Sequence, residues 1–173
     1  MSEDPRPIAV VVSRYNRAVT DALEDSAVRT IRARGGRAAV VDAPGAYELP
    51  PIAARCIESG AYQGVVALGC IVRGETRHDR YIAAAIANGL TSLSIGSGVP
   101  VAFGVITAET PEQASARAGG DKGNKGEEAA SALLDTIAAF DAIDHAVDNG
   151  TPERVEPVIT PERTLPDKTG GAA

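Results

Sequence analysis

Chemistry in this chain concentrates in one run, Gly69-Cys-Ile-Val-Arg-Gly-Glu-Thr-Arg-His78. His78 stands behind a glycine-bearing loop, where the hydrophobic pattern starts a long helix. The positive end of a helix disfavours an imidazolium. A neutral imidazole there is suited to moving protons near neutral pH. The plainer reading is an ordinary surface histidine, which is how His145, between Asp144 and Ala146, is read. A second candidate is Arg117-Ala-Gly-Gly-Asp-Lys-Gly-Asn-Lys-Gly126, basic and glycine-rich. Glycines let backbone N–H groups approach an anion, and an arginine can hold phosphate in a bidentate fork. The pattern is not a P-loop, and it also reads simply as a hinge between two helices. Cys56 and Cys70 are not in Cys-x-x-Cys spacing, and no secretion signal precedes them. They are read as reduced thiols of a cytoplasmic protein. With the two histidines equally scattered, no metal site is expected.

The elements that must position these residues follow from periodicity. Ile8–Ser13 is a β-branched apolar run, expected as a buried strand. A helix from Asn16, read as its cap, to about Arg34 carries Val19, Leu23, Ala27 and Ile31 on one face. Arg37–Asp42 reads as a second strand and Pro44-Gly45 as a turn. A helix over about 49–59 tolerates Pro50 and Pro51 only in its first turn. Val65–Leu68 is a third strand, 78–95 a long Ala/Ile-rich helix, and Pro100–Ile106 a fourth strand. A helix from Pro111 to about Ala118 is broken by the Gly/Lys segment and followed by a last helix over about 127–142.

Strands alternating with helices imply a parallel sheet with right-handed crossovers. The expected fold is therefore α/β: a three-layer α/β/α sandwich on a four-stranded sheet of flavodoxin-like order 2-1-3-4. Residues 8–148 form its domain, behind a flexible arm at 1–7 and ahead of a proline-rich flexible tail at 149–173. Ligands of such sheets bind beyond the carboxyl ends of the strands. That rule selects Arg14-Tyr15-Asn16, then Pro44-Gly45-Ala46-Tyr47-Glu48, then Cys70 to His78, then Phe103 and Thr107 to Glu109.

Composition excludes other classes. At 173 residues one domain is favoured. With 17 Lys+Arg against 23 Asp+Glu and no dense basic block, nucleic-acid binding is not expected. No apolar run approaches the roughly 18 residues of a spanning helix, so no membrane partner is expected. Aromatics are scarce, at four Tyr, two Phe and no Trp. Tyr15, Tyr47 and Phe103 are expected at the strand ends that hold ligand, leaving aliphatics and alanine to build the core.

Taken in series, Pro44-Gly-Ala-Tyr-Glu-Leu-Pro50, Gly69 to His78, Pro100-Val-Ala-Phe-Gly-Val-Ile-Thr107, Arg117-Ala-Gly and Gly123-Asn-Lys-Gly126 resemble the 6,7-dimethyl-8-ribityllumazine synthase family. Ser13-Arg-Tyr-Asn16 is similar to that family's Arg-Phe-Asn signature. The resemblance covers about residues 8–140. It implies a transferase of riboflavin biosynthesis that works without metal or organic cofactor. Such an enzyme condenses 5-amino-6-(D-ribitylamino)uracil with 3,4-dihydroxy-2-butanone 4-phosphate.

Position by position, the resemblance makes Tyr15 the ring that stacks on the pyrimidine. Ala46, Tyr47 and Glu48 match the segment that contacts the ribityl chain and pyrimidine. Cys70, Ile71 and Val72 match the run that reads the uracil edge through main-chain groups. Glu75, Thr76 and Arg117 match the butanone-phosphate site, and His78 the proton-transfer histidine. Phe103 matches an aromatic donated by a neighbouring subunit. The chain departs from the pattern at Asp79 and Arg80, where the family has an aromatic and then an acid, and at Asp121, where a lysine is common. These departures motivate a second expectation, a non-catalytic flavin- or lumazine-binding shell protein. The family assembles as pentamers with sites between adjacent subunits, and riboflavin synthase is a further candidate partner. Pentamers that do not form capsids often carry an insertion between the last two helices, and none is present at 119–126. A 60-subunit shell is therefore expected.

Overall fold

A computed structural model of the chain describes residues 6–76, 78–151 and 155. Its principal elements are β1 (Ile8–Ser13), α1 (Arg17–Ala33), β2 (Ala38–Ala43), α2 (Leu49–Glu58), β3 (Gly64–Val72), α3 (His78–Ser97), β4 (Val101–Ala108), α4 (Pro111–Ala116) and α5 (Lys125–Asp148). A 3-10 turn, Ala46–Glu48, enters α2. Two short strands, β5 (Ala118–Gly120) and β6 (Gly123–Asn124), pair antiparallel between α4 and α5.

The main sheet has four parallel strands in the order β2-β1-β3-β4, as expected. Strand alternation divides the core. Ile8, Val10 and Val12 join Leu23, Ile31, Leu133 and Ile137 on the α1/α5 side, while Ala9 and Val11 join Leu49, Ile86 and Leu90 on the α2/α3 side. Full burial of each such aliphatic side chain contributes about 1.5–3 kcal/mol.

Small residues set how closely the layers approach. Gly126, in the first turn of α5, lies so near α1 that a Cβ there would stand 2.1 Å from the Leu23 carbonyl oxygen. Gly104 in β4 plays the same part beneath α5, where a Cβ would stand 2.5 Å from Leu68 Cδ2 and 3.0 Å from Ala129 Cβ.

Several expectations about the elements need correction, among them the last helix, which runs to Asp148 rather than to about 142. β3 runs through Gly69 to Val72 rather than stopping at Leu68. Gly69 is a strand residue that must stay small, since a Cβ would come within 3.1 Å of Leu49 Cδ1. The Gly/Lys segment is not a bare hinge but a β-hairpin, made possible by Gly119 at φ +111° and Gly123 at φ +77°. Of the arm expected at 1–7, Arg6 and Pro7 are fastened: Arg6 Nη1 donates to the Gly60 carbonyl at 3.2 Å and Gln63 N–H to that of Pro7 at 3.2 Å. Residues 1–5 lie outside the described residues, as does the expected tail beyond Thr151 except Val155. No helix among the described residues is long and apolar enough to cross a membrane.

Gly126→Ala sets a Cβ against backbone that cannot swing aside. It is expected to cost about 3 kcal/mol or more of stability, the upper range for overpacking. Denaturant unfolding checks this, and a variant as stable as the parent would show that α5 can stand off α1.

Candidate functional site

The site begins with a stagger in the sheet. The β1–β3 ladder ends at Val12 opposite Leu68, whereas β3–β4 continues to Val72 opposite Ala108. The Arg73 N–H bonds to the Ala108 carbonyl at 2.9 Å, so odd-numbered residues here turn their main chain towards β4. Cys70 and Val72 therefore turn theirs towards the vacated side. Asn16 takes up part of it, its Nδ2 donating to the Cys70 carbonyl at 2.9 Å. This corrects the expectation of a side-chain cap. Asn16 does occupy the N-cap position of α1, but at φ 58° and ψ 47°, and its carboxamide reaches β3 rather than the helix.

Before Asn16 come Arg14 and Tyr15. The Tyr15 ring is 69% exposed and rests on the turn after β2. A Cβ at Gly45 would stand 3.0 Å from Tyr15 Cδ2 and 2.7 Å from Glu48 Oε2. With glycine here the turn passes close beneath the ring, and a Cβ would have to displace both side chains. The turn then presents Tyr47, 61% exposed, with Ala46 and Glu48 half-buried. Tyr47 and Glu48 line a groove of about 420 Å³ with Pro50, Pro51, Ala85 and Ile86.

The side chains at the end of β3 point into the core. Cys70 is 3% exposed and packs on the α1/α5 side, while Ile71 is buried on the α2/α3 side. A ligand at this edge would meet main chain there. Burial pushes the Cys70 thiol up to about 11 and that of Cys56 upward as well.

Beyond Val72 the chain leaves the sheet through exposed Glu75 and Thr76 to His78, the exposed first residue of α3. Next to it, Asp79 has a buried Oδ1 with no hydrogen-bond partner among the described residues. Arg73 bonds both Glu109 oxygens, at 3.2 and 3.1 Å, joining this loop to the one after β4. That second loop caps α4, where the Thr110 hydroxyl accepts from the Gln113 N–H at 3.3 Å. Arg117, half-buried, closes α4 and donates through Nη1 to the Gln113 carbonyl at 2.9 Å. The carboxyl edge thus collects Tyr15, Ala46–Glu48, Cys70–Val72, Glu75, Thr76 and His78, with Arg117 beyond the end of β4.

Phe103 is the exception. It pairs with Ala67 in the body of the sheet, not at its carboxyl edge. Five residues before Ala108, it lies about 17 Å short of that end at strand rise. It is 45% exposed because β4 is an outer strand. It shares a second hollow, on the α5 side, with Pro100, Lys125 and Glu128. Lys125, part of the basic Gly-rich segment singled out above, turns out to be the first residue of α5.

An open parallel sheet with this collection at its carboxyl edge belongs to the flavodoxin-like class, in which loops carry function and the sheet only holds them. The family can be stated more narrowly. The family model of 6,7-dimethyl-8-ribityllumazine synthase matches residues 6–141, and the chain belongs to that family. The match takes in every residue of both hollows and of the carboxyl edge.

A thiol that is buried and protonated is a poor nucleophile. Neither Cys56 nor Cys70 is therefore expected to react with a thiol-alkylating reagent at neutral pH until the chain is unfolded. Mass spectrometry of the native protein checks this, and rapid labelling of Cys70 would place its side chain in the site.

Proposed function

We propose that this chain condenses 5-amino-6-(D-ribitylamino)uracil with 3,4-dihydroxy-2-butanone 4-phosphate. The products are 6,7-dimethyl-8-ribityllumazine, phosphate and water, in the penultimate step of riboflavin biosynthesis. One observation carries the reading. In a chain of this family, an exposed aromatic ring, an unpaired strand end and a histidine at a helix start meet at one sheet edge.

The roles are those that the family resemblance implies. Tyr15 stacks on the flat pyrimidine, contributing apolar area and fixing its plane. The main chain of Cys70–Val72 offers the donors and acceptors that a uracil edge requires. Ala46–Glu48 receives the ribityl chain. Glu75, Thr76 and Arg117 take the phosphate, and the charge of Arg117 stabilises it as it departs. The amine attacks the ketone and forms an imine, phosphate is eliminated, the product tautomerises, and ring closure follows. His78 moves protons between these steps. Much of the acceleration comes from holding two reactants together.

The same reading makes the working unit an assembly. Members of the family form oligomeric assemblies, and here Phe103 lies too far from the Tyr15 edge to serve its own chain's pyrimidine. We read it as donated to a neighbouring subunit's site, in pentamers closed into a 60-subunit shell. On this reading the enzyme works in the cytoplasm, with riboflavin synthase as a candidate partner. The main domain is 8–148, with the stretch from 149 outside it.

The two substrates are expected to turn over, followed by lumazine absorbance. Folded, assembled protein that binds lumazine without turnover would instead favour the non-catalytic shell. His78→Ala is expected to lower kcat by about 10²-fold or more, the usual scale for general acid–base help, with the native mass of the particle unchanged. An unaltered kcat would remove His78 from proton transfer.

A further inference from the structure

The mechanism leaves one charged cluster unused. Arg14 follows the last residue of β1 and reaches three carboxylates on two elements. Its Nη1 bonds Glu24 at 2.8 Å and Asp21 at 3.4 Å, both on α1, and its Nη2 bonds Asp42 on β2. Its own N–H donates to the Ala43 carbonyl at 2.9 Å. Hydrogen bonding to Arg14 holds the Asp42 carboxyl below its usual range, against desolvation. A lone ion pair at such exposure is worth little. One guanidinium spanning two elements is different, because its planar fork fixes direction as well as distance.

What the cluster flanks gives it meaning. Tyr15 is the next residue, and Asn16 after it is the one non-glycine residue at positive φ among the described residues. A left-handed conformation costs roughly 1–2 kcal/mol in a residue with a Cβ. It persists only where its surroundings over-determine it. Here the surroundings are Arg14 on one side and the Asn16–Cys70 bond on the other. Between these anchors the exposed Tyr15 ring lies across Gly45.

We propose that Arg14 is a positioning residue for the pyrimidine substrate, acting by locking the Arg14-Tyr15-Asn16 turn so that the Tyr15 ring is held ready to stack. This rests on the reading of Tyr15 as the stacking ring. Arg14 itself touches no substrate. Its loss should therefore weaken recognition of the flat substrate and leave the phosphate substrate alone.

The test uses the full-length assembled protein and the variants Arg14→Gln, Arg14→Lys, Tyr15→Ala and Arg14→Gln/Tyr15→Ala. Arg14→Gln is expected to raise KM for the pyrimidine about tenfold, with kcat and the butanone-phosphate KM within about twofold. Arg14→Lys, a point charge without the fork, should recover about half of that loss on a logarithmic scale. In the Tyr15→Ala background, Arg14→Gln should add almost nothing, since the two act as one unit. Equal rises in both KM values, or multiplicative effects in the double variant, would overturn the proposal. A second readout needs no turnover. Amide hydrogen exchange at Tyr15–Arg17 should be at least about tenfold faster in Arg14→Gln, and unchanged protection would overturn the clamp. If the parent protein fails to turn over its substrates, the enzymatic reading falls while the exchange measurement still decides what Arg14 does.

Discussion

Everything at the site depends on where β1 stops. A parallel ladder satisfies backbone groups only as far as both strands extend, and β1 ends at Ser13 while β3 continues to Val72. The overrun leaves main-chain donors and acceptors at a sheet edge that no other strand covers. Asn16 answers one of them through its carboxamide. That reach requires the backbone of Asn16 to turn left-handed, which brings the chain sharply from strand to helix and lifts Tyr15 out of the sheet. A longer β1 would have paired the same groups in an ordinary ladder.

The loops around this gap are held by close approaches. Gly45 allows the turn after β2 to pass beneath Tyr15, and Gly69 allows Leu49 and Ala46 to sit against β3. The Arg73–Glu109 pair joins the loops after β3 and β4. Gly104 and Gly126 keep α5 tight against the sheet and α1, which fixes Lys125 and the hairpin at its start. Each of these contacts helps fix where the loops of the carboxyl edge stand.

Much of this was legible in the residues. Apolar runs of β-branched type and helices with Val19, Leu23, Ala27 and Ile31 at helical spacing specified the elements, and their alternation specified the parallel sheet in the observed order. What escaped depended on tertiary contact. Gly69 looks like a loop residue because nothing local says that Leu49 will press on it. The hairpin at 118–124 is too short to show alternation. Asn16 has the composition of a helix cap, and only the overrun of β3 turns its side chain elsewhere. Phe103 belongs to a strand end by motif alone, whereas the register puts it opposite Ala67.

That displacement of Phe103 argues for a site built between copies. The strand it occupies is an outer one, so its ring has no second strand to shelter it. α3 points the same way: of its span from His78 to Ser97 only Ile86 and Leu90 are fully buried, while Tyr81 and Ile95 are mostly exposed. A helix this apolar and this uncovered has surface that water does not favour. A family that lives as assemblies has a use for such surface, since association can bury α3 and the β4 face together. Phe103 and Lys125, which line one hollow of the single chain, lie along that same outer strand and the start of α5. The scarcity of aromatics then has a structural meaning. Five of the six, Tyr15, Tyr47, Tyr81, Phe103 and Phe140, stand exposed, and only Tyr62 packs against the core, which is otherwise aliphatic.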